Sequence, residues 1–121
     1  MTNSQLGRQT ILATGVNQIG TTDVAVSNHW GGQCVVYIDI TAVAGGTLTL
    51  TIQDVGGSGT KATLLASTTL IGAGLTVLQI SPNLTASANL IATRLCSADL
   101  NFHIVVAAGT VTGTITAYFM P

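Results

Sequence analysis

The sequence has very little charge of either sign. It carries three basic and four acidic residues, 6% of the chain, and it contains no glutamate, whereas soluble domains carry about 25% charged residues. The charged residues are Arg8, Asp23, Asp39, Asp54, Lys61, Arg94 and Asp99. Three scattered basic residues cannot form the cluster that binds nucleic acid or the charged face of a membrane-surface helix. Nucleic acid and membranes are therefore excluded as partners.

Long apolar runs are also lacking. No stretch reaches the ~18 apolar residues of a membrane-spanning helix. The first 15 residues, MTNSQLGRQTILATG, contain no basic segment followed by an apolar run, so they do not resemble an export signal. We expect synthesis in a cytoplasm without export by the general route.

Cysteine is scarce, and its placement favours a structural role. Cys34 falls in phase with Val36, which predicts a small buried apolar residue. A disulfide with Cys96 requires the two Cα atoms to approach within ~7 Å, and the sequence leaves that open. His29 and His103 have no metal-ligand spacing with the cysteines. No metal or cofactor is expected.

The main pattern in the sequence is the alternation of apolar and polar residues. Around Gly45 and Gly46, one set of apolar residues alternates with a polar set, which is typical of strands with one buried face. The predicted buried set is Val36, Ile38, Ile40, Leu48, Leu50 and Ile52. Because Gly-Gly allows the positive φ of a tight turn, residues 33–54 predict a β-hairpin.

The same rhythm extends along the rest of the chain and predicts an all-β fold. Seven to nine short strands separated by turn signals, with no helix, are typical of an antiparallel β-sandwich or jelly roll. Predicted strands outside the hairpin are 9–14, 23–27, 62–70, 75–80, 90–95, 102–107 and 111–120, with loops at 15–22 and 96–101. Antiparallel pairing is expected because no connection accommodates repeated helical crossovers. Residues 1–8 are predicted to be a polar arm, and residues 9–121 a single domain.

The sequence offers few groups for catalysis, and we predict that the protein is not an enzyme. Asp39 falls on the outward face of its strand, where a solvated carboxylate is the usual outcome. His103 is also outward on its strand and is interpreted as a surface or interface residue. A hydrolase would need Asp39 or His103 in a cleft with a second carboxylate.

Several residues are candidates for contacts with a partner protein or with other copies of the chain. Near-zero net charge and 20 threonines suit a surface covered by copies of the chain or by a partner. Trp30 is interpreted as an interface anchor, as a platform for carbohydrate, or as a plug at one end of the sandwich. The candidate interface residues are Arg8, His29, Trp30, Asp54, Lys61 and His103.

From Gln33 onward, the chain resembles small Gly/Thr-rich β proteins encoded in the structural-gene regions of tailed bacteriophages. Their pattern is a YVYIDITA…LTLTIQ pair of strands, a glycine loop, an LxVLxxxPxLT strand, an asparagine-containing connection and two final strands. The matching residues are Val36 to Thr41, Leu48 to Gln53, Leu75 to Leu84, Asn89 and Thr110 to Phe119. The family's Leu-Pro-Arg…Trp-Arg segment is replaced here by Leu95 to His103, with Phe102 in the aromatic place, so contacts made by those basic residues are not carried over.

The resemblance implies a virion structural protein. Its implied role is head decoration, in which the protein sits on the capsid surface, binds the major capsid protein and other copies of itself, and cements neighbouring subunits. The implied contact regions are the arm, the loop at Trp30 and the loop 54–61. The alternative is a tail or baseplate module that binds host glycan through Trp30.

Overall fold

A computed structural model of the chain describes residues 7–17, 19–26, 32–96 and 99–120. These residues form nine strands: β1 (Gly7–Asn17), β2 (Gly20–Val26), β3 (Gln33–Ala44), β4 (Thr47–Val55), β5 (Lys61–Ala66), β6 (Gly74–Ile80), β7 (Ile91–Ala92), β8 (Leu100–Ala107) and β9 (Thr110–Met120). The all-β prediction is confirmed. No helix within these ranges is long and apolar enough to cross a membrane.

The strands form two sheets whose orders mirror each other. One sheet has the order β1-β9-β3-β6-β7, and the other has the order β2-β8-β4-β5. Strands β1, β9, β3 and β6 of the first sheet therefore correspond in position to β2, β8, β4 and β5 of the second. In each of these pairs, the two strands are consecutive in the chain. Two sheets wound together in this way are a jelly roll. The predicted fold class is confirmed, with β7 added at one edge.

The predicted hairpin at Gly45 and Gly46 is wrong, although both of its strands exist. β3 pairs with β6 and β9, whereas β4 pairs with β5 and β8. The glycines form a corner that carries the chain from one sheet to the other. A two-residue hairpin here would place Ile40 opposite Thr51, so the two apolar faces would lie on opposite sides of one sheet. Crossing to the second sheet lets both faces enter one core.

A second corner packs directly on the first. The chain passes from β8 to β9 through Ala108 and Gly109, and Thr110 bridges to Gly45. A Cβ added at Gly46 would overlap the backbone of Thr110, and one added at Gly109 would overlap the backbone of Ala44 and Gly45. Glycine is required at both places because the β3–β4 and β8–β9 connections cross with their backbones in contact.

The core lies between the inner faces of the sheets. Alternate residues are buried from Cys34 to Ile40 in β3, from Leu48 to Ile52 in β4, from Phe102 to Val106 in β8 and from Val111 to Phe119 in β9, which confirms the alternation predicted for these strands. The largest fully buried side chains are Phe102, Ile38, Leu48, Leu50, Ile52, Leu78, Ile80, Leu100, Ile104, Ile115, Val36 and Val111. Burying a side chain of this size contributes about 1.5–3 kcal/mol relative to leaving it exposed.

Several predicted boundaries need correction. β1 begins at Gly7, so the predicted arm loses its last two residues to the sheet, while residues 1–6 lie outside the described ranges. The predicted loop 15–22 instead contains the end of β1 and the start of β2. Strand β5 ends at Ala66, and β8 begins at Leu100. These shifts follow from cross-strand pairing, which extends strands through threonine and glycine positions that read locally as loops.

The segment 85–95 contains only the two-residue strand β7. Ile91 and Ala92 pair with Gln79 and Ile80 in parallel, which corrects the expectation of purely antiparallel pairing. The returning chain is held by turns instead of a helix: the Leu90 and Ile91 amides donate to the Ser87 carbonyl.

Because the two corners cross closely, the loss of stability on replacing a glycine should depend strongly on its position. Gly46→Ala should lower the free energy of unfolding by about 2–3 kcal/mol, because the new methyl group has to displace backbone. Gly57→Ala is the matched control, since a Cβ there meets no atom within 4 Å, and it should change stability by less than about 0.5 kcal/mol. Urea denaturation measures both variants. Equal stability of the two would contradict the close crossing.

Candidate functional site

The predicted interface residues that the structure describes do not converge on one surface. Asp54, Lys61 and His103 lie on the four-stranded sheet, in β4, β5 and β8. Arg8 lies in β1 of the five-stranded sheet, where it pairs with Tyr118. His29 and Trp30 lie outside the described residues. The described members of the set are therefore divided between two sheets, and their role in binding stays a prediction.

Asp54 and Lys61 lie at the turn end of the β4–β5 hairpin, beside the loop 56–60. Asp54 forms an ion pair with Arg94, with 3.5 Å between Asp54 Oδ2 and Arg94 Nη2. Lys61 pairs with Val55 and is exposed. Since the Arg94 side chain is about half exposed, water screens this pair, and such pairs stabilise by about 0–1 kcal/mol.

His103 belongs to a polar network on the outer face of the four-stranded sheet. Asn101 donates from Nδ2 to Asp23 Oδ1 at 2.8 Å and to Gln53 Oε1 at 2.9 Å. His103 Nδ1 lies 2.8 Å from the same Asp23 oxygen, where a protonated Nδ1 donates to the carboxylate. Asn101 is only 3% exposed, so both of its N–H groups need these partners.

This network explains the electrostatics of Asp23. Hydrogen bonds from Asn101 and then from His103 hold the pKa of the Asp23 carboxyl below its usual value of 3.8, because they stabilise the charged form. The carboxylate itself is open to solvent. The folded state therefore binds this proton less tightly than the unfolded chain does. The resulting stabilisation is present above pH 3.8 and is lost as the pH falls through the folded-state pKa.

The His103–Asp23 pair has one feature of a catalytic dyad, since the carboxylate orients the imidazole. Both side chains are partly exposed on the outer face of the sheet. Asp39, the other predicted acid, is exposed on the outer face of the opposite sheet, so it cannot act together with this pair. Among the described residues, no group of three or more His, Cys, Asp or Glu could hold a metal ion. The absence of catalysis stays a prediction.

The outer face of the five-stranded sheet carries a different surface. Register pairing places six apolar side chains of β3, β6 and β9 on this side of the sheet. These residues, hereafter the Tyr37 face, are Val35, Tyr37, Leu75, Val77, Tyr118 and Met120. Leu75 is 61% exposed, and the two tyrosines and Met120 are each 37% exposed. Contiguous apolar surface of this kind is typical of interaction sites.

Two tyrosines form the centre of the Tyr37 face. The rings of Tyr37 and Tyr118 meet edge to face, with centroids 5.4 Å apart and planes at 90°. Beside them is a pocket of 430 Å³ lined by Val35, Tyr37, Tyr118, Phe119 and Met120. Asp39 carries the one charge among the side chains that the structure describes on β1, β3, β6, β7 and β9. The surface can therefore bind an apolar side chain of a partner at little electrostatic cost.

Tyr37 and Tyr118 are not among the interface residues predicted from the sequence. The missing information was that β3 and β9 are neighbours, because the two residues lie 81 positions apart in the chain. An aromatic residue pointing outward in an otherwise threonine-rich strand was the available signal. The Asn101 network was missed because residues 96–101 were predicted to form a loop.

No family model matches the sequence, and no curated protein matches it. Solved structures that match include the VP2 subviral particle of infectious bursal disease virus, at 14% identity and a TM-score of 0.43 over 93% of this chain and 32% of that one. The structure of the Gt strain of that virus matches at 18% identity and a TM-score of 0.40, over 93% of this chain and 31% of the viral chain. The chain thus spans about a third of the length of these viral proteins.

A different kind of protein matches at a similar level. The family 22 carbohydrate-binding module of Clostridium thermocellum Xyn10B has 16% identity and a TM-score of 0.30, over 94% of this chain and 70% of that one. Likeness of this degree establishes neither a shared family nor a shared function.

The Asp23 network predicts a specific titration. The Asp23 carboxyl should titrate below 3.8, and Asn101→Ser should raise its pKa toward that value because the largest stabilising hydrogen bond is removed. His103→Ala should also raise it, because the second hydrogen bond and the attraction of the imidazole are removed. Carbon-detected NMR of the carboxyl group measures all three proteins. Thr49→Ala, on the neighbouring strand β4, is the control and should leave the titration unchanged; an Asp23 pKa insensitive to Asn101 would refute the network.

Proposed function

We propose that the chain is a virion structural protein of the head-decoration type, which binds a capsid shell through the Tyr37 face. The observation that carries this proposal is the exposed apolar surface around Tyr37 and Tyr118, on a sheet with almost no charge. A freely soluble monomer gains nothing from such a surface, whereas a protein that spends its functional life docked on a shell does.

The dimensions of the sheet suit this role. Strands β1, β9, β3 and β6 have 11, 11, 12 and 7 residues. At a spacing of ~4.8 Å and a rise of ~3.3 Å per residue, they give an outer face of roughly 650 Å². Specific protein interfaces bury about 800 Å² on each partner. The outer face of this one sheet is therefore about the area needed for a specific contact with the major capsid protein.

The proposed mechanism is cementing by added contact area. A copy bound across the junction of two capsid subunits adds contacts that must be broken before those subunits separate. The jelly roll is suited to this because its strands are tied at the corners and do not need to rearrange on binding. Jelly rolls are common in capsid and lectin domains, which agrees with the proposal without deciding it. The protein would be made in the host cytoplasm and reside on the capsid surface.

The low charge of the Tyr37 face predicts binding that salt barely weakens. Co-sedimentation with expanded empty heads of a tailed phage should change by less than about twofold between roughly 0.05 and 0.5 M salt, because few ion pairs are there to be screened. Tyr37→Ser should weaken binding by at least about tenfold, since central aromatic residues dominate interface energies.

A matched pair of variants controls for nonspecific effects. Val77→Ser and Val105→Ser remove the same groups from half-buried positions on opposite outer faces of the sandwich. Val77→Ser should weaken shell binding, and Val105→Ser should leave it unchanged. Equal effects of the two variants, or binding that disappears at moderate salt, would overturn the proposed docking face.

A second candidate function is glycan binding by a tail or baseplate module. The pocket beside the tyrosines favours it, because exposed aromatic rings beside a cavity are typical of sugar sites. The edge-to-face packing of the rings counts against it, because the two rings do not form one flat platform for a sugar. Glycan binding therefore ranks second.

Affinity electrophoresis in gels containing bacterial lipopolysaccharide separates the two functions. The decoration proposal predicts mobility unchanged by the polysaccharide. Retardation that is lost in Trp30→Ala or Tyr118→Ala, but kept in Val105→Ser, would instead favour the glycan-binding module and count against docking on the shell.

A further inference from the structure

The two cysteines, 62 positions apart in the sequence, meet at the end of the sandwich opposite the glycine corners. Cys34 lies at the start of β3 and is 1% exposed, with its side chain in the core. Cys96 lies in the segment leading to β8, is partly exposed and packs against the same core. Both are free thiols in this structure.

Backbone contacts hold the two segments together. The Cys96 amide donates to the Gly32 carbonyl at 2.8 Å, two residues before Cys34. The side chain of Leu95 packs so closely over Gly32 that a Cβ added there would lie 2.9 Å from Leu95 Cδ2. The neighbouring Cys96 and then burial raise the pKa of Cys34. The backbone and side-chain contacts at Gly32 thus bring the two cysteine-bearing segments together before any bond forms.

We propose that Cys34 and Cys96 are a redox site that closes to an intramolecular disulfide in an oxidising medium. The segment around Cys96 is also tied to the four-stranded sheet, since Arg94 contacts Asp54 and the Asp99 carbonyl accepts from the Val55 amide. A Cys34–Cys96 bond would tie this segment covalently to the five-stranded sheet. The end without the glycine corners would then be joined across both sheets.

The chemistry balances with a small disulfide such as oxidised glutathione as the oxidant. The thiolate of Cys96, the more accessible cysteine, attacks one glutathione sulfur and releases a glutathione thiolate, which takes up a proton. The Cys34 thiolate then attacks Cys96 in the mixed disulfide and releases the second glutathione. The two cysteines lose two electrons and two protons, and one oxidised glutathione becomes two thiols.

Trypsin and mass spectrometry test the site on the folded, full-length protein. Cleavage after Arg8, Lys61 and Arg94 separates Cys34 and Cys96 into peptides 9–61 and 95–121. Incubation with oxidised glutathione should reduce the intact mass by about 2 Da relative to the dithiothreitol-treated chain and join these two peptides. The oxidised protein should remain the same size on a non-reducing gel.

The disulfide should also raise the thermal midpoint by about 10 °C, because it closes a loop of about 60 residues. Cys96→Ser should fold, form no linked peptide and show no response to oxidant. A stable glutathione adduct on Cys96, disulfide-linked dimers, or no linked peptide after prolonged oxidation would each overturn the proposal. Since none of these readouts involves a capsid shell, failure here leaves the proposed function untouched, and failure of shell binding leaves the disulfide untouched.

Discussion

The close crossing of two glycine corners is the contact on which the rest of this fold depends. At Gly46 and Gly109 the β3–β4 and β8–β9 connections approach until only hydrogen fits between the backbones. The crossing puts β3 beside β9 in one sheet and β4 beside β8 in the other. Both apolar faces then enter one core, and Tyr37 and Tyr118 are brought into contact on the outside.

The two outer faces that result have opposite characters. On the four-stranded sheet, the buried amide of Asn101 is satisfied by Asp23 and Gln53, so polar groups there bond to one another. On the five-stranded sheet, Tyr37 and Tyr118 leave apolar surface exposed that no described residue covers. A partner gains more by desolvating the apolar face, because burying it breaks no internal hydrogen bonds. This asymmetry is the physical basis for proposing one docking surface.

Much of the fold could be predicted from alternation alone, and the errors have identifiable causes. The strands predicted at 102–107 and 111–120, which correspond to β8 and β9, and the burial of Cys34 followed from a period of two. The hairpin predicted at Gly45 and Gly46 was wrong because it rested on local turn chemistry alone. A two-residue turn there puts Ile40 and Leu50 on opposite faces of one sheet, so both cannot enter the same core. Pairings such as β3 with β9 are long-range, so the sequence pattern does not contain them. The candidate surface at Tyr37 depends on that pairing and could not be assembled from local signals.

Docking through the Tyr37 face can be seen in a cryo-electron-microscopy reconstruction of empty phage heads incubated with the purified protein. We expect added density in which the outer face of the five-stranded sheet, around Tyr37 and Tyr118, lies against the shell across a junction between capsid subunits. Density with this face exposed to solvent and the Asp23–His103 face against the shell would refute the proposed docking. So would shells that carry no added density at saturating protein.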